Sequence, residues 1–316
     1  MAGSPRPRPN ARIRFLNEMS GSKTLEILDV ELLKDEAEAI RSFREQAGRL
    51  GIQLGWHYDL DLAWIGSQLG EPAGLRILDA GAGTGLLQWW LADRGANVMS
   101  VDRLFRADLS GRFRLAYRVQ GLRPEDLLPT WKLIGYRLSK ADNSLNFRLG
   151  GALRAAATTI LEPIRSKAPG TITLYRQSLN HLSELGDESF DAVVSVSALE
   201  HNRKEDLPGV VAQLFRVLKP GGLLLATLAA ARDEDWYHEP SGGWCLTEQS
   251  LRSVFALSLN SRSNFSEYDS LFRKIRENTA LPERLAPMFF RSGDNGMPWG
   301  VWDPKYMPVG VRKRKE

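Results

Sequence analysis

Leu75-Arg-Ile-Leu-Asp-Ala-Gly-Ala-Gly-Thr-Gly-Leu-Leu-Gln-Trp-Trp-Leu-Ala-Asp-Arg-Gly-Ala-Asn-Val-Met-Ser-Val-Asp-Arg103 is the stretch whose reading decides the fold. It opens on a short apolar run, Leu75 to Leu78, suited to a strand buried on both faces. Gly81, Gly83 and Gly85 follow at alternate positions, where a missing Cβ lets backbone N–H groups come close to a ligand. Leu86, Leu87, Trp90 and Leu91 then take a helical spacing, and Gly95 stands where a helix stop belongs. A second strand, Val98 to Val101, ends on Asp102, about twenty residues past the glycines, where a carboxylate can hold ribose hydroxyls. The pattern is a β-α-β unit with a glycine turn at its switch point.

The glycine spacing separates the nucleotide folds that share this scheme. A dinucleotide fingerprint needs a third glycine at position 86, which is Leu86, and no Gly-Lys-Ser/Thr follows to grip a triphosphate. Asp79-Ala-Gly-Ala-Gly-Thr-Gly85 instead resembles motif I of the class I S-adenosylmethionine (SAM)-dependent methyltransferases, of the small-molecule, type 11-like kind. Asp187-Glu-Ser-Phe-Asp-Ala-Val-Val-Ser-Val-Ser-Ala-Leu-Glu-His201 closely resembles that family's fourth-strand motif, and Leu218-Lys-Pro-Gly-Gly222 before an apolar strand is also similar. The resemblance implies an α/β fold: a Rossmann-like, doubly wound, seven-stranded, mostly parallel sheet with one antiparallel strand. It also implies SAM as cofactor. Asp79, Ala80, Gly81, Ala82, Gly83 and Gly85 would cradle its methionine end, and Asp102 with Arg103 its ribose. Ser178 and Leu179, past the third strand, would clasp the adenine, although the Asp usual in the family is absent there. Ser195 and Ser197, at the carboxyl end of the fourth strand, would stand beside the sulfonium.

Composition sets the frame. The chain has 316 residues, 43% hydrophobic and 25% charged, as in soluble globular proteins, and its longest apolar run, near Leu223 to Ala231, is far short of the ~20 residues of a membrane span. A polar Met1 to Asn10 lacks the apolar core of a signal peptide, and a single cysteine, Cys245, excludes an internal disulfide; both lead to the expectation of a cytoplasmic protein. The net charge of +4 is unevenly spread. Between Arg103 and Gly170 thirteen Lys/Arg stand against five Asp/Glu, a local +8 that leaves the rest acidic and could meet an anionic substrate, nucleic acid or membrane surface.

Read in order, residues 1–24 form a Pro/Arg-rich flexible tail, and residues 25–70 an N-terminal helical cap. Within that cap Leu33, Ala37, Ile40, Phe43, Ala47 and Leu50 recur at helical spacing up to Gly51. Trp56, His57 and Tyr58 are either pocket residues, as the family's cap implies, or aromatics that staple the helix to the sheet. The methyltransferase domain would occupy 71–316, with a large insertion at 104–170 between the second and third strands and an elaboration at 231–316. In the insertion Arg106, Arg112, Arg114 and Arg118 alternate with Phe105, Phe113 and Tyr117.

Methyl transfer from a sulfonium is an in-line displacement, so holding donor and acceptor in line is the main task. An acceptor that carries a proton also needs a base within hydrogen-bond reach. His201, just past the fourth strand, is the first candidate, His238 the second and His57 the third. No Asp/Asn-Pro-Pro-aromatic run follows the fourth strand, Cys245 lacks the proline neighbour of a cytosine C5 enzyme, and no ligand spacing suggests a metal. The leading expectation is methyl transfer to O or N of a small molecule. The alternatives are RNA binding or RNA methylation through the basic insertion, and a non-catalytic scaffold of the same fold.

Overall fold

The computed structural model describes residues 24–139, 145–162, 167–289, 297 and 301–316. Apart from Thr24, the expected tail lies outside them. Ten strands form one sheet: β1 (Leu25–Ile27), β2 (Arg76–Ala80), β3 (Asn97–Asp102), β4 (Arg118–Gly121), β5 (Thr171–Arg176), β6 (Phe190–Val196), β7 (Leu218–Ala230), β8 (Trp236–His238), β9 (Gly243–Leu246) and β10 (Met307–Arg314). The main path runs β1-β10-β7-β6-β2-β3-β5-β4, with the short β8–β9 hairpin attached to the end of β7. From β4 to β7 every pairing is parallel, and β10 lies antiparallel to β7. The order reverses at β2, whose neighbours are β3 and β6, and that reversal opens a crevice at the strands' carboxyl ends.

The central strands are apolar along their length because helices cover both faces of a parallel sheet. Ile77, Leu78, Val98, Val193 and Val194 are buried, and the helix Leu87–Asp93 after the glycine turn buries all but its last residue. The N-terminal helices Ala37–Leu50 and Tyr58–Leu69 lie on one side of the sheet, Gly51 closing the first in the left-handed conformation that its sequence position called for.

The sheet exceeds the seven strands expected: besides the β8–β9 hairpin, two of its strands come from segments read otherwise. Leu25–Ile27, expected inside a helical cap, pairs with β10 as a strand at one edge. The 104–170 insertion is not all peripheral either: Arg118–Gly121 adds β4 to the other edge, and the insertion also holds the helices Gly111–Ala116, Thr130–Ser139 and Leu145–Leu161. Runs of three and four residues are too short to show a period of their own, which is why only the sheet reveals them. Among the described residues no helix is long and apolar enough to cross a membrane.

Trp64 ties the N-terminal helices to the β1 edge. Its ring is buried, its Nε1 donates to Glu26 Oε2 at 2.8 Å, and it lies over Gly310 so closely that a Cβ there would come within 2.4 Å of the indole. A ring enclosed on all sides cannot give way. Gly310→Ala is therefore expected to destabilise the protein by about 1–3 kcal/mol, seen as a lower urea midpoint with an unchanged slope.

Candidate cofactor and active site

The glycine turn leaves β2 at Asp79–Ala80 and is held from behind. Gln88 Nε2 donates to the carbonyls of Gly85, Gly83 and Ala82 at 3.1, 3.4 and 3.5 Å, and its Oε1 accepts from Ser100 Oγ at 2.7 Å. Arg106, buried, donates to Gly83 O, Ser100 Oγ and Ser100 O at 3.1, 2.6 and 2.8 Å. Because the peptide is trans, the N–H after each tied carbonyl points the other way. The N–H of Gly83 accordingly reaches Asp102 Oδ2 at 2.7 Å. The glycines are needed sterically: Gly81 and Gly83 have positive φ, and a Cβ on Gly81 would lie 2.5 Å from Ala198 Cβ.

In front of the turn is a cavity of about 340 Å³. Of the residues singled out in the sequence, Asp79, Gly81, Ala82, Gly83, Gly85, Asp102, Arg103, Leu179, Ser197, Tyr58 and His201 line it. Gln53, Thr84, Gln177, Ala198 and Asn202 also line it and were not singled out; of these, Gln177 precedes Ser178, the position marked for the adenine.

Five expected residues are placed elsewhere. Ala80 is buried in β2, and Ser195 Oγ donates to Ala80 O at 2.8 Å, stitching β6 to β2 behind the cavity. Ser178 sits between Gln177 and Leu179 without lining the cavity. His57 is buried, its Nδ1 2.6 Å from Asp61 Oδ2 and its Nε2 3.3 Å from Tyr306 Oη. His238 is buried as well, because the β8–β9 hairpin turns it onto Ser241 Oγ, 2.7 Å away, and against the Tyr306 ring.

The electrostatics of the cavity are set by burial. Burial pushes the Asp79 carboxyl up to about 7, with Arg106 opposing and Asp102 reinforcing the shift. Glu200, whose Oε1 accepts from Ser197 Oγ at 2.7 Å, is raised by burial against the pull of His201 and Ser197. Tyr58 is raised by burial and by Asp61 and Glu200, so it stays a neutral phenol. For His57, burial disfavours charge, but Asp61 and Glu200 outweigh it and the pKa rises; burial alone lowers that of His238. Ser197 itself has φ 43°, a left-handed conformation uncommon for a side-chain-bearing residue and found at ligand-facing turns.

His201 differs from the other two histidines. Its Nδ1 lies 3.0 Å from Gly242 O, and a carbonyl can only accept, so Nδ1 carries a proton. In the neutral ring Nε2 is then the basic nitrogen. The arginine–aromatic alternation of the insertion is partly internal: buried Arg106 serves the turn and buried Arg114 donates to the carbonyls of Leu109, Ala107 and Leu128, whereas Arg112 and Arg118 are exposed, Arg118 donating to the carbonyls of Ala168 and Pro169 at the surface.

The Asp79 shift has a stability consequence. An acid whose folded pKa lies above its unfolded value of 3.8 keeps its proton longer in the folded state, so stability falls as pH rises from about 3.8 to about 7. Glu200 adds a slope of the same sign. Urea titrations of Asp79→Asn across that window should show a shallower decline than wild type, and equal slopes would contradict the assignment.

Residues 154–226, from the last helix of the insertion through most of β7, match the family model described as a methyltransferase domain. A 34-residue stretch is 59% identical to ribosomal RNA small subunit methyltransferase C of Chromohalobacter salexigens, covering 11% of this chain and 10% of that enzyme. Among solved structures, the chain is similar to a putative sarcosine dimethylglycine methyltransferase from Galdieria sulphuraria (15% identity, TM-score 0.45, covering 87% of this chain and 98% of the other). It is also similar to a Burkholderia thailandensis 1,6-didemethyltoxoflavin-N1-methyltransferase bound to S-adenosylhomocysteine (13% identity, TM-score 0.39, covering 99% and 93%). The reversal of strand order at β2, the glycine turn facing Asp102 and the methyltransferase-domain match over residues 154–226 agree with the resemblance of the sequence to the class I SAM-dependent methyltransferases.

Proposed function

We propose that the protein transfers the methyl group of SAM to an oxygen or nitrogen of a small-molecule acceptor, with His201 as the base. One observation carries this reading: His201, its Nδ1 committed to Gly242 O, lines the same cavity as the glycine turn and Asp102. Asp102 would hold the ribose hydroxyls, the turn from Asp79 to Gly85 the amino-acid end, and Gln177 and Leu179 would border the base. The bound cofactor supplies a methyl group on a positively charged sulfur. The chain's own residues supply position: Tyr58 and Leu62 on the N-terminal helix, and Ser197, Ala198, His201 and Asn202 after β6, line the cavity together with the turn. An acceptor O–H or N–H placed there would pass its proton to His201 Nε2 as the new bond forms.

The RNA alternative loses support because Arg106 and Arg114, counted toward the basic patch, are spent on carbonyls inside the protein.

Isothermal calorimetry should show S-adenosylhomocysteine binding to wild type and about 10- to 100-fold weaker binding to Asp102→Ala. With methyl-labelled SAM and small-molecule extracts, His201→Ala should lose on the order of 100-fold or more in turnover while its S-adenosylhomocysteine affinity stays within about twofold. Absence of cofactor binding would remove the reading altogether; full turnover by His201→Ala would remove only the base.

A further inference from the structure

The helix Leu145–Leu161 is built inside out. The face it turns to the protein carries small side chains, Ala152, Ala155 and Thr158, all buried, with Thr158 seated against Gly111. The face it turns outward carries Leu149, Leu153 and Ile160, which at spacings of four and seven residues share one side of a helix. Leu153 and Ile160 are each 72% exposed, and Trp131, on the neighbouring helix Thr130–Ser139, is 63% exposed. Isolated surface leucines are ordinary, but a row of large apolar residues on one helix beside an exposed tryptophan is a docking surface.

Charge says what docks there. From Thr130 to Lys167 seven Lys/Arg stand against two Asp/Glu. Some of the basic residues also serve the fold: Arg137 pairs with Asp108, and Arg148 donates to Leu138 O. Lys132 lies 5.2 Å over the Trp131 ring, and Arg154 is exposed. Arg112, Arg137 and Arg154 border a groove of about 620 Å³ whose lining includes Leu115, Leu133 and Leu161. Apolar side chains and a tryptophan flanked by Lys and Arg form the pattern of a helix lying in the headgroup region of an anionic bilayer, apolar face down and cations on the phosphates. The chain's own N-terminal residues, with Arg6, Arg8, Arg12 and Arg14, and a second copy of the same face are both basic, so each would be repelled.

We propose that the helical pair Thr130–Ser139 and Leu145–Leu161 docks the protein peripherally on an anionic lipid surface. Binding then has two components: apolar insertion of Leu149, Leu153, Ile160 and Trp131, and a salt-sensitive attraction by the surrounding cations.

The test is co-sedimentation of the full-length protein with vesicles of phosphatidylcholine alone and of phosphatidylcholine with phosphatidylglycerol. Wild type should pellet with the anionic vesicles and not with the neutral ones. Leu153→Glu/Ile160→Glu, which alters only exposed positions, should bind at least about tenfold more weakly while its melting temperature and S-adenosylhomocysteine affinity stay as in wild type. Wild type that pellets with neither vesicle overturns the proposal. So does a double variant that pellets like wild type, because the basic residues alone would then account for binding. A concentration-dependent dimer in light scattering that the double variant abolishes would assign the face to a second copy and equally overturn it. None of these outcomes depends on methyl transfer.

Discussion

The site depends on how one turn of backbone is held. Gln88 and Arg106 both reach its carbonyls from the side away from the cavity, and both are anchored to Ser100 on the neighbouring strand. A glycine-rich turn loses more conformational freedom on ordering than other sequences do, so it needs such partners to keep its N–H groups aimed at a ligand. Arg106 also faces the two carboxylates that flank the turn, its own pKa lowered by burial and drawn back up by Asp102 and Asp79. That charge distribution suits one kind of ligand. Asp79 and Asp102 would repel a pyrophosphate, whereas SAM brings a positive sulfonium and an ammonium group into the same space. A cation arriving beside Asp79 favours its ionised form, so the carboxyl that burial pushes up to about 7 is the one the cofactor would draw back down.

Much of this was legible in the sequence because it rests on short-range rules. Alternate glycines between an apolar run and an amphipathic helix have one geometric use, and the acid at the end of the next strand follows from the unit's fixed length. What was not legible depends on partners distant in sequence. Gln88 looks like an ordinary helix residue until the carbonyls three to six residues before it are seen within its reach. Arg106 counted toward a surface charge patch because its alternation with aromatics looks the same whether the guanidinium meets water or carbonyls. β1 and β4 escaped notice because three or four residues carry no period, and each exists only by virtue of the strand it pairs with.

The insertion shows the same limit from the opposite direction. Leu153, Ala156, Ile160 and Ile164 recur at helical spacing, and burying large apolar residues is what usually stabilises a helix. Ile164 lies outside the described residues, and Leu153 and Ile160 face outward. Ala152, Ala155 and Thr158 do the packing, Thr158 where Gly111 comes close. Periodicity identifies a face. It does not identify what covers that face, and on this helix the two differ.

The histidines separate by a similar argument from neighbours. His57, His201 and His238 are the same residue type within one region of the fold, yet each Nδ1 meets a different partner: a carboxylate, a carbonyl and a hydroxyl. The carboxylate stabilises positive charge on His57, which would fill both ring nitrogens with protons and leave nothing to accept one. The hydroxyl on His238 can donate or accept, so it fixes no tautomer, and burial separates that ring from the cavity. Only the carbonyl of Gly242 both demands a proton on Nδ1 and adds no charge, and the ring it orients lines the cavity beside Asn202 and Ser197. The fold thus gives His201 the free Nε2 lone pair by way of the Gly242–Gly243 turn, where a Cβ on Gly243 would press on the imidazole at 3.3 Å. A side chain at that turn would move the ring, and with it the Nε2 nitrogen that a proton on Nδ1 leaves as the acceptor.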